Sequence, residues 1–135
     1  MASSLAAISE AALRRAAKEV HRRFGAQLVV LFGSAARREK TAQDLDLGIL
    51  GSEPLDTVAV TNALTRALGT QAVDVTDLRR ADPVLLALVA RDGIPLFEHE
   101  PGAFAGFVSL AMRRFADTRK FRDAQADALR AAETG

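Results

Sequence analysis

The chain of 135 residues contains no cysteine, tryptophan or tyrosine, and it has only two histidines. The absence of cysteine excludes disulfide bonds, thiolate metal centres and cysteine nucleophiles. Two histidines are too few for a three-histidine zinc site, so any metal ion would have to be a hard cation bound by carboxylates. The absence of tyrosine means that the chain has no tyrosine of its own to modify.

Neither sign of charge dominates, because 18 Lys and Arg oppose 17 Asp and Glu for a formal net charge of +1. Direct binding to nucleic acid or to a membrane is therefore not expected from the overall charge. No apolar run approaches the roughly 20 residues that a membrane span needs. The first residues, MASSLAAISE, lack the basic segment of a secretory signal, which predicts a cytoplasmic protein.

Length and composition predict a single α/β domain over residues 1–135, with residues 1–7 loose. Helical periodicity begins after Ser9, and His21 lies off the apolar stripe of that helix, which predicts a solvated side chain. Pro54 is expected to open another helix. Apolar runs predict strands at 28–32, 45–50, 72–78 and 94–97.

The last predicted helix begins near Phe104, and its final part, 118–135, is a mostly polar helical tail. A single helix from Phe104 to Ala132 would be about 43 Å long at 1.5 Å per residue. A domain of this size has a diameter of only about 37 Å. We therefore expect this helix to overhang, bend or break.

The sequence QDLDL places two carboxylates on one strand. Asp44 and Asp46 project from the same face because side chains alternate along a strand. Parity puts Asp74 on the corresponding face of the next strand, whereas Asp77 has the opposite parity and is expected in a turn or capping role. Three aspartates that converge would repel one another unless a cation lay between them, and Mg²⁺ suits such oxygen ligands.

A glycine-serine pair follows the first apolar strand. Gly33 would let a phosphate approach the backbone, and Ser34 would add a hydroxyl at the start of a short helix spanning 35–39. Arg37 lies on the same helix face as Ser34, so it either contacts phosphate or forms a surface ion pair with Glu39 or Asp44. Phosphate and metal sites side by side indicate nucleotidyl transfer with two metal ions.

These motifs resemble the nucleotidyltransferase fold of the polymerase β superfamily in its minimal (MNT) form. The likeness rests on the segment from Leu31 to Leu47, which has nine residues between Ser34 and Asp44 where ten are usual. Segments 73–78 and 93–98 are similar to MntA-type antitoxins of HEPN/MNT (type VII) toxin–antitoxin pairs. The resemblance implies a short mixed sheet flanked by helices, with a long C-terminal helix.

The resemblance also implies residue roles and a partner. Asp44, Asp46 and Asp74 would be the catalytic metal carboxylates for Mg²⁺, and Asp74 would help activate the acceptor hydroxyl. Gly33 and Ser34 would bind the triphosphate of ATP, with Arg37 as a further nucleotide contact. The implied reaction transfers AMP to a tyrosine hydroxyl of a cognate HEPN ribonuclease toxin, in a hetero-oligomer, and neutralises that toxin.

Three alternatives remain open from the sequence. The domain could neutralise its partner by binding and masking alone, without catalysis. It could transfer a nucleotide to a small hydroxylated molecule such as an aminoglycoside. It could also add nucleotides to RNA ends, although the balanced net charge disfavours that reading.

Overall fold

The computed structural model describes residues 8–39 and 43–134, so residues 1–7, predicted to be loose, lie outside the described residues. Helices and strands alternate along most of the described chain. In chain order they are α1 (Glu10–Phe24), β1 (Ala26–Phe32), α2 (Gly33–Ala36), β2 (Leu45–Gly51), α3 (Thr57–Leu68), β3 (Val73–Asp77), α4 (Pro83–Asp92), β4 (Ile94–Glu98), α5 (Ala103–Asp117) and α6 (Arg119–Thr134).

The strands form one mixed sheet in the order β3-β2-β1-β4. β1 pairs antiparallel with both β2 and β4, whereas β2 and β3 run parallel and are connected through α3. A parallel pair needs such a crossover, because a tight turn can join only antiparallel neighbours. The mixed sheet with flanking helices agrees with the predicted fold class.

Local sequence signals set the helix ends. The Ser9 hydroxyl accepts a hydrogen bond from the Ala12 amide at the start of α1, and Gly25 ends that helix in the left-handed region. The expectation that Pro54 opens α3 is wrong. That helix begins at Thr57, because the Asp56 carboxylate accepts a hydrogen bond from the Ala59 amide and caps it.

One face of the sheet is covered by α1 and α3. Leu45, Leu47 and Ile49 of β2 point into this layer and are at most 3% exposed. Apolar side chains of the two helices meet them, and these are Leu13, Ala16, Ala17, Val20, Val60 and Leu64. This apolar layer is continuous along β2.

The opposite face is covered by α4 and α5 over β1 and β4, where Leu28 and Val30 pack against Val89 and Phe107. The even-numbered residues of β2 point to this side. Asp46 is half-buried there, and Asp74 on the neighbouring strand β3 is exposed. The helices therefore leave the end of this face open where the two aspartates lie.

The long C-terminal helical segment is interrupted at Thr118, which is one of the outcomes expected from its length. The Thr118 hydroxyl and the Arg122 guanidinium both donate hydrogen bonds to the Phe115 carbonyl, at 2.7 and 3.2 Å, and compete with the regular helix ladder. The Arg122 guanidinium also lies 4.0 Å above the centre of the Phe115 ring. Within residues 8–39 and 43–134, no helix combines the length and hydrophobicity that a membrane crossing requires.

The expectation of a merely solvated His21 is wrong. Its Nδ1 atom lies 2.7 Å from the Ala26 carbonyl, and its ring stacks on Phe97 and His99 at centroid distances of 4.6 and 4.9 Å. Helical periodicity could not reveal this contact, since β4 is brought beside α1 only by the folded sheet.

Candidate active site

Asp46 and Asp74 lie side by side in the sheet. They are register partners in the parallel pairing of β2 with β3, so both side chains leave the same face. Asp44, just before β2, is exposed. Burial, followed by the negative charges of Asp74 and Asp44, raises the pKa of the Asp46 carboxyl above its ordinary value. The charges of Asp74 and Asp44 therefore both act on the carboxyl of Asp46.

The donor set fits Mg²⁺ in an open site rather than a metal ion in a closed protein cage. Among the described residues, no three acidic or histidine side chains form a ready-made metal cluster. Mg²⁺ is commonly held by one or two carboxylates together with water and substrate phosphates, so paired aspartates at an open sheet face suffice. A cation there would favour the ionised carboxylate of Asp46, against the burial and the neighbouring negative charges that raise its pKa.

Gly33 lies against the Asp46 carboxylate. Its φ of +73° falls in the left-handed region, where a side chain is strained. A Cβ atom at this position would lie 2.3 Å from Asp46 Oδ2. Glycine is therefore needed both for the turn and for the space beside the carboxylate, and this close approach links the glycine-serine pair to the aspartates.

Ser34 lies in the short helix α2, which differs from its predicted range of 35–39. The helix spans Gly33–Ala36 because the chain reverses at Arg38, where φ is +57°. No side-chain hydrogen bond caps the start of α2 at Phe32. Ser34 and the preceding glycine thus lie directly at the turn that leaves β1.

Arg37 forms ion pairs on both sides of its guanidinium. Nε lies 2.9 Å from Glu39 Oε1, and Nη1 lies 3.4 Å from Asp92 Oδ2. Its charge also lowers the pKa of Asp46, against the stronger raising effects, so Arg37 lies near the aspartates. The predicted pairing with Glu39 is present, and this leaves a contact between Arg37 and phosphate as a prediction.

Asp92 is a neighbour of the site that the sequence did not indicate. It ends α4 and accepts hydrogen bonds from Arg91 and Arg37, which hold the pKa of its carboxyl below the ordinary value. Its place in the sequence, next to Arg91, predicts no link to α2. Only the packing of α4 against α2 brings it there.

Asp77 lies apart from Asp44, Asp46 and Asp74, as the alternation of side chains along its strand predicted. Its buried carboxylate accepts hydrogen bonds from the backbone amides of Arg79 at 3.0 Å and Leu55 at 3.1 Å. These bonds hold the loop before α3 to the turn after β3. Asp77 is thus a structural residue at the opposite end of β3 from the site.

Comparisons with solved structures give the same architecture. A chain from a toxin–antitoxin complex with AMP-PNP has a TM-score of 0.75 at 24% identity, and covers 90% of this chain and 98% of that one. A chain from the MntA–HepT toxin–antitoxin complex gives 0.73 at 24% identity, with the same coverage. At these identities the two matches show the fold alone.

A third solved structure contains a tri-AMPylated Shewanella oneidensis HEPN toxin in complex with MNT antitoxin. A chain of it is 25% identical to this one, has a TM-score of 0.69, and covers 89% of this chain and 94% of that one. The predicted similarity to the fold of MNT antitoxins is confirmed. A search of curated protein sequences finds none that matches.

The sequence profile of one family, described as polymerase beta, nucleotidyltransferase, matches residues 16–101. That range runs from α1 through β4, so it includes the whole sheet, the glycine turn and the three aspartates. The fold and the profile agree on the resemblance that the motifs predicted. Since the match spans well over half of the sequence, the chain belongs to the polymerase beta nucleotidyltransferase family.

Proposed function

We propose that this protein is an antitoxin that transfers AMP from ATP to a tyrosine hydroxyl of a cognate HEPN toxin and thereby neutralises it. The observation that carries the proposal is the pairing of Asp46 with Asp74 beside Gly33, on a sheet face that the helices leave open. A toxin–antitoxin complex with an ATP analogue and an AMPylated HEPN toxin occur among the solved structures of this fold, which supports the choice of nucleotide and acceptor.

Asp44, Asp46 and Asp74 are the proposed ligands of two Mg²⁺ ions. Mg²⁺ would supply charge stabilisation at the attacked phosphate and the leaving pyrophosphate. Gly33 gives the triphosphate access to the backbone, Ser34 offers it a hydroxyl, and Arg37 offers it a positive charge.

The proposed reaction joins the tyrosine oxygen to the α-phosphorus of ATP and breaks the bond between that phosphorus and the bridging oxygen of pyrophosphate. Asp74 is more exposed than its register partner Asp46, which supports the proposal that Asp74 accepts the tyrosine proton. Arg37, near Asp46, favours the ionised form of that carboxylate. Pyrophosphate leaves with the electrons of the broken bond.

The acceptor must come from another molecule. The chain contains no tyrosine, so it cannot be its own tyrosine substrate. Asp74 is exposed, and a protein loop carrying the acceptor could reach it without displacing α4 or α5. We further propose that the chain is one domain and acts in the cytoplasm as a hetero-oligomer with its toxin.

Intact-mass spectrometry of the candidate HEPN partner tests the proposal. The partner is incubated with this protein, ATP and Mg²⁺, and the Asp44→Asn/Asp46→Asn double variant is the matched control. We expect mass gains in whole AMP units with wild type and none with the variant. Peptide mapping should locate the added AMP on a tyrosine.

Three other outcomes would overturn the proposal. A partner that stays unmodified but co-elutes and is still inhibited would make this a masking module. Transfer of AMP to an aminoglycoside in place of the partner would make it a small-molecule transferase, and labelling of RNA ends would make it an RNA-modifying enzyme. Omission of Mg²⁺ measures the metal requirement separately, and mass gains should disappear without it.

A further inference from the structure

Arg38 has an unusual backbone conformation at the end of α2. Its φ of +57° lies in the left-handed region. Its amide donates to the Ala35 carbonyl, and the Glu39 amide donates to the Ser34 carbonyl, both at 3.1 Å. This pair of hydrogen bonds is the Schellman motif, in which the residue at the position of Arg38 is usually glycine because a side chain is strained there.

Two other helices of the chain end in the left-handed region, and both use glycine. Gly25 follows α1 with a φ of +73°, and Gly69 follows α3 with a φ of +69°. Over residues 8–39 and 43–134, Arg38 is the one residue other than glycine with a positive φ. An arginine thus lies where this chain elsewhere uses glycine, and backbone strain beside a site points to a functional side chain.

The charge of Arg38 is also uncompensated. Its side chain is exposed and forms no ion pair or hydrogen bond with any side chain in the described part of the protein. Arg37, by contrast, shares its positive charge with Glu39 and Asp92. Arg37 would therefore meet an anion with its charge largely balanced, whereas Arg38 would meet it with its full charge.

Arg38 lies close to the proposed phosphate turn. The hydrogen bond from Glu39 to the Ser34 carbonyl closes the loop between them, so Arg38 is held within one turn of Ser34. We propose that Arg38 is a nucleotide-contacting residue whose guanidinium binds the triphosphate beside Arg37, which also holds the turn to α4 through Asp92. This inference rests on the proposed nucleotide site and adds a residue to it.

Three substitutions separate the backbone strain from the charge. Arg38→Gly removes both the strain and the charge, Arg38→Gln removes only the charge, and Arg38→Lys keeps both. Two quantities are measured for each variant, namely the Tm without nucleotide and the affinity for MgATP by calorimetry. AMP serves as a ligand that lacks the β- and γ-phosphates.

We expect the Tm to depend on whether residue 38 has a Cβ atom, and the affinity for MgATP to depend on whether its side chain is positively charged. We expect Arg38→Gly to raise the Tm by about 3 °C, with Gln and Lys near wild type. MgATP should bind about tenfold more weakly to the Gly and Gln variants and within about twofold of wild type to the Lys variant. AMP should bind all four proteins within about twofold.

A Gln variant that binds MgATP as tightly as wild type would overturn the inference, even if the partner is modified normally. If the Lys variant bound MgATP as weakly as the Gln variant, the inference would also be overturned, because a positive charge at residue 38 would then not determine the affinity. If wild type itself binds no MgATP, the proposed function fails, and that result is distinct from a failure at Arg38 alone.

Discussion

The two faces of the sheet differ in the side chains that strand β2 contributes to them. On the α1 and α3 side, β2 contributes Leu45, Leu47 and Ile49 to a closed apolar layer. On the other side the same strand contributes Asp46, next to Asp74 and Gly33, in a place that α4 and α5 do not cover. The alternation of one strand thus puts apolar side chains on one face and the proposed catalytic carboxylate Asp46 on the other.

That division explains why costly features can persist at the site. Two such features lie at one end of the open face, namely the burial of Asp46 beside the charges of Asp74 and Asp44, and the left-handed backbone at Arg38. The closed layer on the opposite face supplies apolar burial that offsets them. If the division holds, stability and nucleotide binding should respond to different substitutions.

The largest effect on stability is expected from the closed layer. Leu64 in α3 is 1% exposed, and Leu64→Ala should lower the free energy of unfolding by about 3 kcal/mol through lost burial and a cavity. MgATP affinity of the folded protein should stay at the wild-type value. Urea unfolding and calorimetry measure the two quantities.

Val58 is the matched control for Leu64, because it lies in the same helix and is 70% exposed. Val58→Ala should change the free energy of unfolding by less than about 0.5 kcal/mol. A folded Leu64→Ala protein that no longer binds MgATP would show that the two faces are not separate.

A smaller loss of stability, with a complete loss of binding, is expected at the glycine turn. Gly33→Ala should cost about 2 kcal/mol, because it combines a strained positive φ with a Cβ atom pressed against Asp46. The displaced carboxylate should abolish the rise in Tm that MgATP gives to wild type. Thermal denaturation with and without MgATP measures both effects.

Gly25→Ala is the control for Gly33→Ala, because it introduces the backbone strain of a positive φ without a contact to Asp46. Gly25 has the same φ of +73°, but a Cβ atom at this position would meet no other atom within 4 Å. This variant should cost about 1 kcal/mol and keep the MgATP response. Equal behaviour of the two alanine variants would mean that the contact with Asp46 has no role.

The smallest effect on stability is expected for substitution of Asp46. Unlike the substitutions above, it should stabilise the metal-free protein. The pKa of this carboxyl is raised in the folded protein, so the folded state holds its proton more tightly than the unfolded state. Its contribution to stability is therefore lost as the pH rises from the ordinary aspartate value through the raised folded value. Above that window the ionised group destabilises the metal-free protein.

Asp46→Asn should remove this pH dependence and stabilise the metal-free protein at pH 7 by less than about 1 kcal/mol, since the group is only half-buried and solvent screens its charge. Mg²⁺ with ATP should no longer raise its Tm. Unfolding curves at several pH values, with and without Mg²⁺-ATP, provide the measurement. A variant less stable than wild type at pH 7 without metal would contradict the repulsion argument.

The sequence predicted the parts of this site that depend on alternation along a strand. Parity alone placed Asp46 and Asp74 on one face and Asp77 on the other, and the structure agrees at each position. The roles of the aspartates and of Gly33, Ser34 and Arg37 in binding and catalysis stay predictions. Sequence patterns describe which way a side chain points, but they do not measure what it binds.

Features that depend on distant packing were not predictable in this way. The contact between Arg37 and Asp92 exists because α4 lies beside α2, and the stacking of His21 on Phe97 exists because β4 lies beside α1. The left-handed residue Arg38 was also missed, since an arginine carries no signal for a positive φ. Each of these features arises from tertiary structure that overrides the local pattern.

The parallel pairing of β2 with β3 has a consequence for the order of folding. β2 pairs with β1 across a short connection, whereas Asp74 reaches Asp46 only after the longer crossover through α3 has closed. Closing the longer connection costs more chain entropy before any strand contact repays it, so this step is expected to follow the pairing of β1 with β2. The aspartate pair is therefore absent from a nascent chain until β3 has been synthesised and docked.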